Sequence, residues 1–123
     1  MSTADPSAVA TSRIAAARAD VEARFRALSA QVEGLAEQQA LTTHDDEHDP
    51  EGVTIAFERA QLLGLLAGAR EEIAALDRAE SRLAAGTYGR CLSCGSAIPD
   101  ARLEALPGAE MCLDCSGKSR RPR

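Results

Sequence analysis

Apolar residues recur at coiled-coil spacing along two long segments of the chain. From Val21 in the first segment and Leu62 in the second, the steps between them alternate between four and three residues, which is typical of a coiled-coil seam. The pattern predicts two helices, over about residues 6–41 and 50–85. The seam positions are Ile14, Val21, Phe25, Leu28, Val32 and Leu35 in the first helix, and Ile55, Leu62, Leu66, Ala69, Ile73, Leu76 and Leu83 in the second.

Local signals at the ends of the two segments agree with these helix limits. Asp5 and Pro6 suit the N-cap and the first position of a helix, and Asp49 and Pro50 repeat this signal further along the chain. Gly86 suits the left-handed residue that commonly follows a helix.

The segment between the two helices predicts a turn. Residues 42–53 have no apolar periodicity and contain both Pro and Gly. Two seams of matched length around a short connection imply an antiparallel hairpin over residues 1–86, with each helix about 50 Å long. In that register we expect Val32 near Leu62 or Leu63, Leu28 near Leu66, and Val21 near Ile73.

Composition favours long helices over a globular core. Ala, Leu, Glu and Arg dominate residues 8–85, and aromatic residues make up 2% of the chain. Phe25 and Phe57 are expected at seam positions, and Tyr88 is expected where the second helix meets the segment that follows it.

Three glycines interrupt the predicted helices, at a cost of about 1 kcal/mol each relative to Ala. They are Gly34, Gly64 and Gly68. The last two are four residues apart, a spacing that allows close approach of another backbone. A weak point in the helix is the simpler interpretation.

Four cysteines lie in two C-x-x-C motifs near the end of the sequence. Cys91 and Cys94 are separated by seventeen residues from Cys112 and Cys115, which is the spacing of a four-cysteine zinc site. Four thiolates fill the tetrahedral shell of zinc and leave no position open for water or substrate. We therefore predict one structural zinc ion, bound by these four residues in a finger over residues 87–117.

A redox dithiol and a pair of disulfides are the alternatives to zinc. A thioredoxin-like motif begins a helix within a βαβ unit, and the pattern here contains no such unit. Disulfides require an oxidising compartment, and no export signal precedes the helices. Both observations favour metal binding.

The net charge of −5 and the pI of about 5.0 argue against a nucleic-acid binder that depends on phosphate contacts. A general nucleic-acid binder is therefore not expected. No apolar run approaches the ~18 residues of a membrane span. The sequence therefore predicts a soluble, cytoplasmic protein that makes no membrane contact.

Charge is unevenly distributed along the chain. The turn between the helices contains five carboxylates within residues 44–51 and no Lys or Arg, whereas residues 118–123 carry four positive charges and predict a disordered basic tail. Clustered carboxylates at the end of a long hairpin suit contact with a cation or a basic surface; a solvated loop that keeps the hairpin end soluble is the alternative. The tip carboxylates are Asp45, Asp46, Glu47, Asp49 and Glu51.

The residues around the zinc motifs resemble the DksA/TraR family of C4-type zinc-finger transcription regulators. The match is closest over residues 86–95 (GTYGRCLSCG) and continues through Ile98, residues 102–105 (RLEA), Pro107 and the second C-x-x-C motif. The predicted hairpin is similar to the family in architecture.

This resemblance implies a partner and a mechanism. Family members bind RNA polymerase, insert the hairpin through its secondary channel and bring an acidic tip near the catalytic magnesium. They change promoter initiation without contacting a specific DNA sequence. The resemblance thus implies a bacterial transcription regulator. An enzyme is not expected, since the chain has no nucleophile–base pair, phosphate loop or open zinc position.

The tip departs from the family pattern Asp-x-x-Asp-x-Ala. Asp46 and Asp49 have the aspartate spacing, but Glu51 stands in the place of the alanine. If Asp49 is aligned with the first aspartate instead, Gly52 stands in the place of the second.

A second departure concerns guanosine tetraphosphate. In well-known family members, basic residues of the hairpin and the finger help to hold this nucleotide at the polymerase interface. The corresponding positions here are Ala75, Leu106 and Ser116. Because phosphate recognition depends on Arg and Lys, we expect no such site in this chain.

A second class of function is a polymerase-independent interaction module that uses the finger or a hairpin face, with self-association as one form. Dimerisation along the side of Leu63 and Leu65 would favour that hypothesis. A monomer is the expected state.

Overall fold

The computed structural model describes residues 5–42 and 50–119, and within these ranges the chain is mainly helical. The prediction of a mainly α fold is confirmed, and the two long helices have nearly the predicted limits. The helices are α1 (Pro6–Thr42), α2 (Pro50–Ala85), α3 (Asp100–Ala105) and α4 (Leu113–Ser119).

Helix α1 begins at the predicted cap. The Oδ1 atom of Asp5 accepts a hydrogen bond of 3.2 Å from the backbone N–H of Ser7, and its carbonyl oxygen accepts one of 3.0 Å from Val9. These bonds satisfy donors that the first turn of a helix leaves without intrahelical partners.

Helix α2 ends in a Schellman motif. Gly86 has a φ of 79°, and its N–H donates to the carbonyl of Leu83 at 3.2 Å. The N–H of Thr87 donates to the carbonyl of Arg82 at 2.8 Å. The glycine thus turns the chain out of the helix while the last carbonyls keep their partners.

Helices α1 and α2 pack antiparallel, as the matched seams predicted. Arg18 forms ion pairs with Asp77 and, at 3.0 Å, with Glu80. In the next part of the hairpin, the guanidinium of Arg70 lies 5.5 Å from the ring centroid of Phe25. Residues early in α1 therefore contact residues late in α2.

The chain divides into two compact units. The first comprises Met1–Ala19 and Glu72–Arg123, and the second comprises Asp20–Glu71. Among the described residues, the first unit buries Ala10, Ile14, Leu76 and Ala79 between its helices, together with Cys91, Ile98 and Leu103 in the finger. The second unit buries Val21, Leu28, Ile55, Leu66 and Ala69.

Every predicted seam residue is buried or half-buried. The seam missed Ala10 and Ala79, which are also buried, because alanine occurs on every face of these helices.

The prediction that Phe57 fills a seam position is wrong, since 66% of its surface is exposed. It follows Ile55 by two residues, which turns it about 200° around the helix from that buried neighbour. Leu63 and Leu65 are also exposed, at 42% and 59%.

The three glycines that interrupt the predicted helices make no close contact within the hairpin. A Cβ atom placed on Gly34, Gly64 or Gly68 would have no atom within 4 Å beyond its own chain neighbours and helix backbone.

No helix in the described part of the chain is long and apolar enough to cross a membrane.

Candidate metal centre

The first C-x-x-C motif lies in a tight hairpin turn. The N–H of Cys91 donates to the carbonyl of Ser96 at 2.8 Å, and the N–H of Gly95 donates to the carbonyl of Cys91 at 2.9 Å. Ile98 donates to the carbonyl of Gly89 at 2.7 Å. Both glycines have positive φ, 88° at Gly89 and 76° at Gly95, so the turn requires residues without a Cβ.

The second motif begins helix α4, which was not predicted. Cys112 precedes the helix, and its carbonyl accepts a 2.9 Å hydrogen bond from Ser116; Cys115 lies one turn along. A further bond of 2.9 Å runs from the N–H of Leu92, in the first motif, to the carbonyl of Glu110, two residues before the second motif.

The four sulfur atoms form one cluster. All four Sγ atoms lie within 4.8 Å of one another, and those of Cys94 and Cys112 are 3.9 Å apart. Tetrahedral zinc with bonds of about 2.3 Å places its sulfur ligands about 3.8 Å apart. None of the four cysteines is in a disulfide. The donor set therefore fits one zinc ion, which Cys91, Cys94, Cys112 and Cys115 would hold.

The electrostatics of the cluster agree with metal binding. Hydrogen bonds from the backbone of Cys112 and Cys94 lower the pKa of Cys91 to about 6. Hydrogen bonds with Ser96 also lower the pKa of Cys94. In contrast, the neighbouring sulfur of Cys112 raises the pKa of Cys115 to about 12. Without a cation the cluster does not carry four negative charges, so a divalent metal stabilises the fully deprotonated set.

A small core supports the metal centre. Cys91, Ile98 and Leu103 are buried together, and Tyr88 packs against them. The hydroxyl of Tyr88 donates to the carbonyl of Pro107 at 2.7 Å, and partial burial raises the pKa of this tyrosine. Tyr88 thus lies at the base of the finger, as predicted.

Two arginines of α2 bind a carboxylate of the finger. Glu110 accepts hydrogen bonds of 2.7 Å and 3.1 Å from Arg78, and Arg82 lies 3.6 Å from its other oxygen. Arg82 also donates to the carbonyl of Ala109 at 3.3 Å. We call Glu110, Arg78 and Arg82 the arginine clasp.

Further contacts join the finger to both long helices of its unit. Arg13 of α1 donates to Asp100 of α3 at 3.1 Å. On the α2 side, a Cβ atom on Gly108 would lie 3.3 Å from the Cβ of Ala75. A larger side chain at this glycine would therefore have to displace the helix.

Sequence reasoning found the four cysteines but missed the contacts around them. The clasp residues have no distinguishing pattern, because charged residues are frequent throughout α2. The sequence signal closest to these contacts is the pair Pro107 and Gly108, which predicts a turn. The pair does not indicate which helix Gly108 packs against.

The structure describes one of the five predicted tip carboxylates. Glu51 is exposed in the first turn of α2, where a negative charge complements the helix dipole. Asp45, Asp46, Glu47 and Asp49 lie outside the described residues.

The finger matches a known family. Residues 86–121 match the prokaryotic dksA/traR C4-type zinc finger. The finger of this chain is therefore similar to those of the DksA/TraR family. The resemblance deduced from the sequence is thereby confirmed, as is the prediction of one structural zinc ion.

A solved structure extends the similarity to the helices. The structure of transcription factor DksA2 from Pseudomonas aeruginosa is similar over 88% of this chain and 83% of that chain, with a TM-score of 0.54 and 27% identity. The solution structure of DnaK suppressor protein from Agrobacterium tumefaciens C58 covers 85% of this chain and 92% of its own, with a TM-score of 0.44 and 25% identity. A comparison with curated proteins found no significant match.

Proposed function

We propose that this protein is a bacterial transcription regulator that binds RNA polymerase and inserts the tip of its hairpin into the secondary channel. The observation that carries the proposal is a dksA/traR finger attached to two antiparallel helices whose connection is strongly acidic. A similar structure is that of a transcription factor, DksA2.

The chemistry of the connection supports this role. Carboxylate oxygens are the ligands that magnesium prefers, and they also pair with basic protein surfaces. The carboxylates of residues 45–51 are concentrated where α1 ends and α2 begins. The finger provides no open metal position, so zinc serves the structure and the tip acts on the polymerase.

Polymerase binding and tip activity are tested separately. We expect the zinc-loaded protein to capture core polymerase of its own organism and to change the yield of in vitro transcription. Replacing Asp45, Asp46 and Asp49 with Asn and Glu47 with Gln should abolish the change in transcription while capture persists.

A matched variant controls for net charge. Neutralising four exposed carboxylates of the long helices, Asp20, Glu33, Glu37 and Glu58, removes the same charge and should leave the transcription effect intact. Failure of the wild-type protein to bind polymerase would refute the proposal, and equal effects of the two variants would refute the role of the tip.

We also propose that this protein builds no guanosine tetraphosphate site with polymerase. Ala75 lies against Gly108, and Leu106 is 52% exposed, so neither position supplies a cation for a phosphate. Cross-linking of the nucleotide to polymerase should be the same with and without the protein. A strong protein-dependent increase would contradict this expectation.

A further inference from the structure

Helix α2 has a second face without charge, turned away from its buried seam. From Val53 to Gly68 this face contains only apolar, small and amide residues, and all are exposed. Charged residues make up 27% of the chain, and a solvated helix face normally carries many of them. We call these residues the outer face of α2: Val53, Phe57, Ala60, Gln61, Gly64, Ala67 and Gly68.

The outer face is bulky at one end and hollow at the other. Val53 and Phe57 are 72% and 66% exposed. Gly64 and Gly68 have open space where a side chain would stand. The two bulky residues and the two glycines are each four residues apart, so both pairs lie one helical turn apart.

These two halves are complementary in a single antiparallel register. A two-fold axis between Ala60 and Gln61 sets Phe57 opposite Gly64 of a second copy. The same axis sets Val53 opposite Gly68, because the two residues of each pair lie equally far from the axis along the sequence, on opposite sides of it. Glycines let the opposing side chains approach the backbone, as at small-residue helix interfaces.

We propose that the outer face of α2 binds the same face of a second copy of this chain, in an antiparallel dimer with two-fold symmetry. A two-fold interface requires a patch that complements itself, and the matched bulk and hollows meet this requirement. A face without charge also brings no like charges together at the centre of the contact.

The size and charge of the molecule set the strength of this dimer. The outer face is about 24 Å long and one helix wide, so the contact is smaller than a standard interface of roughly 1,200–2,000 Å². Interfaces below this size are typical of weak, transient complexes, so we expect association only at high protein concentration. Each copy carries a net charge of −5, so added salt should strengthen the association.

This inference is independent of polymerase binding, since it concerns the protein alone. If the protein both dimerises and binds polymerase, the dimer covers the outer face of each copy. That face is then not available inside the polymerase channel, so dimerisation competes with insertion.

Sedimentation equilibrium of the full-length, zinc-loaded protein over a range of concentrations tests the proposal. We expect a monomer–dimer equilibrium in the wild type. Gly64→Leu fills the hollow and should raise the dissociation constant at least about tenfold. The same substitution should raise the melting temperature of the monomer, because leucine favours the helix more than glycine does.

Two further variants check the location and the register. Gly34→Leu changes an equally open glycine of α1 and should leave the dissociation constant unchanged. Phe57→Ala should weaken the dimer, and the double variant Phe57→Ala/Gly64→Leu should recover much of the loss, because it exchanges the sizes of two opposed residues.

A wild-type protein that remains monomeric at all concentrations would overturn the proposal, whatever other partner covers the face. Association that Gly64→Leu leaves unchanged would overturn it as well, since the contact would then lie elsewhere. Additive effects of the two substitutions would overturn the proposed register.

Discussion

Arg82 holds its charge in a nearly enclosed position between α2 and the finger. Its side chain is 11% exposed, and its buried Nε atom has no hydrogen-bond partner among the described residues. A buried cation destabilises the fold unless an opposite charge is close. Glu110 supplies that charge, and its carbonyl also accepts the bond from Leu92 of the first zinc motif. One residue therefore connects the helix to the metal centre.

Replacing Glu110 with Gln should loosen the finger. We expect a loss of about 1–3 kcal/mol in the free energy of unfolding, since Arg82 keeps its charge without a carboxylate. Zinc should also pass more quickly to a chromophoric chelator. Glu104→Gln, at an exposed carboxylate of α3, is the control. Equal rates of zinc release in the two variants would show that the clasp does not support the metal centre.

Substitution of Gly89 should lower the stability of the protein because of the backbone conformation at this position. Its φ of 88° costs an L-residue about 1–2 kcal/mol, so Gly89→Ala should lower the melting temperature of the zinc-bound protein. Gly117→Ala is the matched comparison, because this glycine lies within α4 with open space around it. Alanine there should stabilise the helix by up to about 1 kcal/mol. Effects of the same sign at both positions would contradict the role assigned to φ.

At the scale of helices, sequence periodicity predicted the hairpin and its limits. Steps of four and three residues recur only where one face is buried, and the residues on those steps are indeed buried or half-buried. Periodicity could not assign Phe57, whose apolar side chain stands on the solvent face. It could not find α3 either, because a six-residue helix is too short to show a period. The sulfur cluster was predictable because spacing alone determines it, whereas the clasp depends on the packing of the finger against α2.

Truncation of a buried and of an exposed apolar side chain of the hairpin should have very different effects on the free energy of unfolding. Ile14 is 1% exposed, and Ile14→Ala should cost about 2–5 kcal/mol through the cavity it leaves. Phe57→Ala should change the free energy of unfolding of the monomer by less than about 0.5 kcal/mol. Urea titrations at low protein concentration measure both. A large loss for the exposed phenylalanine would mean that it packs within the monomer.

At the scale of the whole molecule, most of the helical residues lie outside the finger that binds zinc. Helices α3 and α4 have six and seven residues, compared with 37 and 36 in α1 and α2. Metal affects the short helices most directly, because both lie in the finger whose small core contains the cysteines. The long helices derive their stability from the seam residues that they bury against each other.

Chelation of zinc should therefore release the finger while the long helices persist. We expect most of the far-UV circular dichroism to remain. The fluorescence of Tyr88 should change, since this is the one tyrosine of a chain without tryptophan and its hydroxyl bonds within the finger. Readdition of zinc should restore the signal. Parallel loss of both signals would show instead that the metal holds the whole molecule together.

The pairing of Arg13 with Asp100 has a consequence for how the chain assembles. The two residues are 87 positions apart, and the first unit combines the beginning of the sequence with its end. The second unit is a continuous segment whose contacts span shorter loops, and local contacts form faster. During synthesis the middle of the chain can therefore collapse while its first helical turns still await their partners. A chain that ends before residue 72 lacks the late α2 residues, such as Leu76 and Ala79, against which early α1 packs. The apolar side of early α1 is then uncovered, which is a surface that chaperones and proteases recognise.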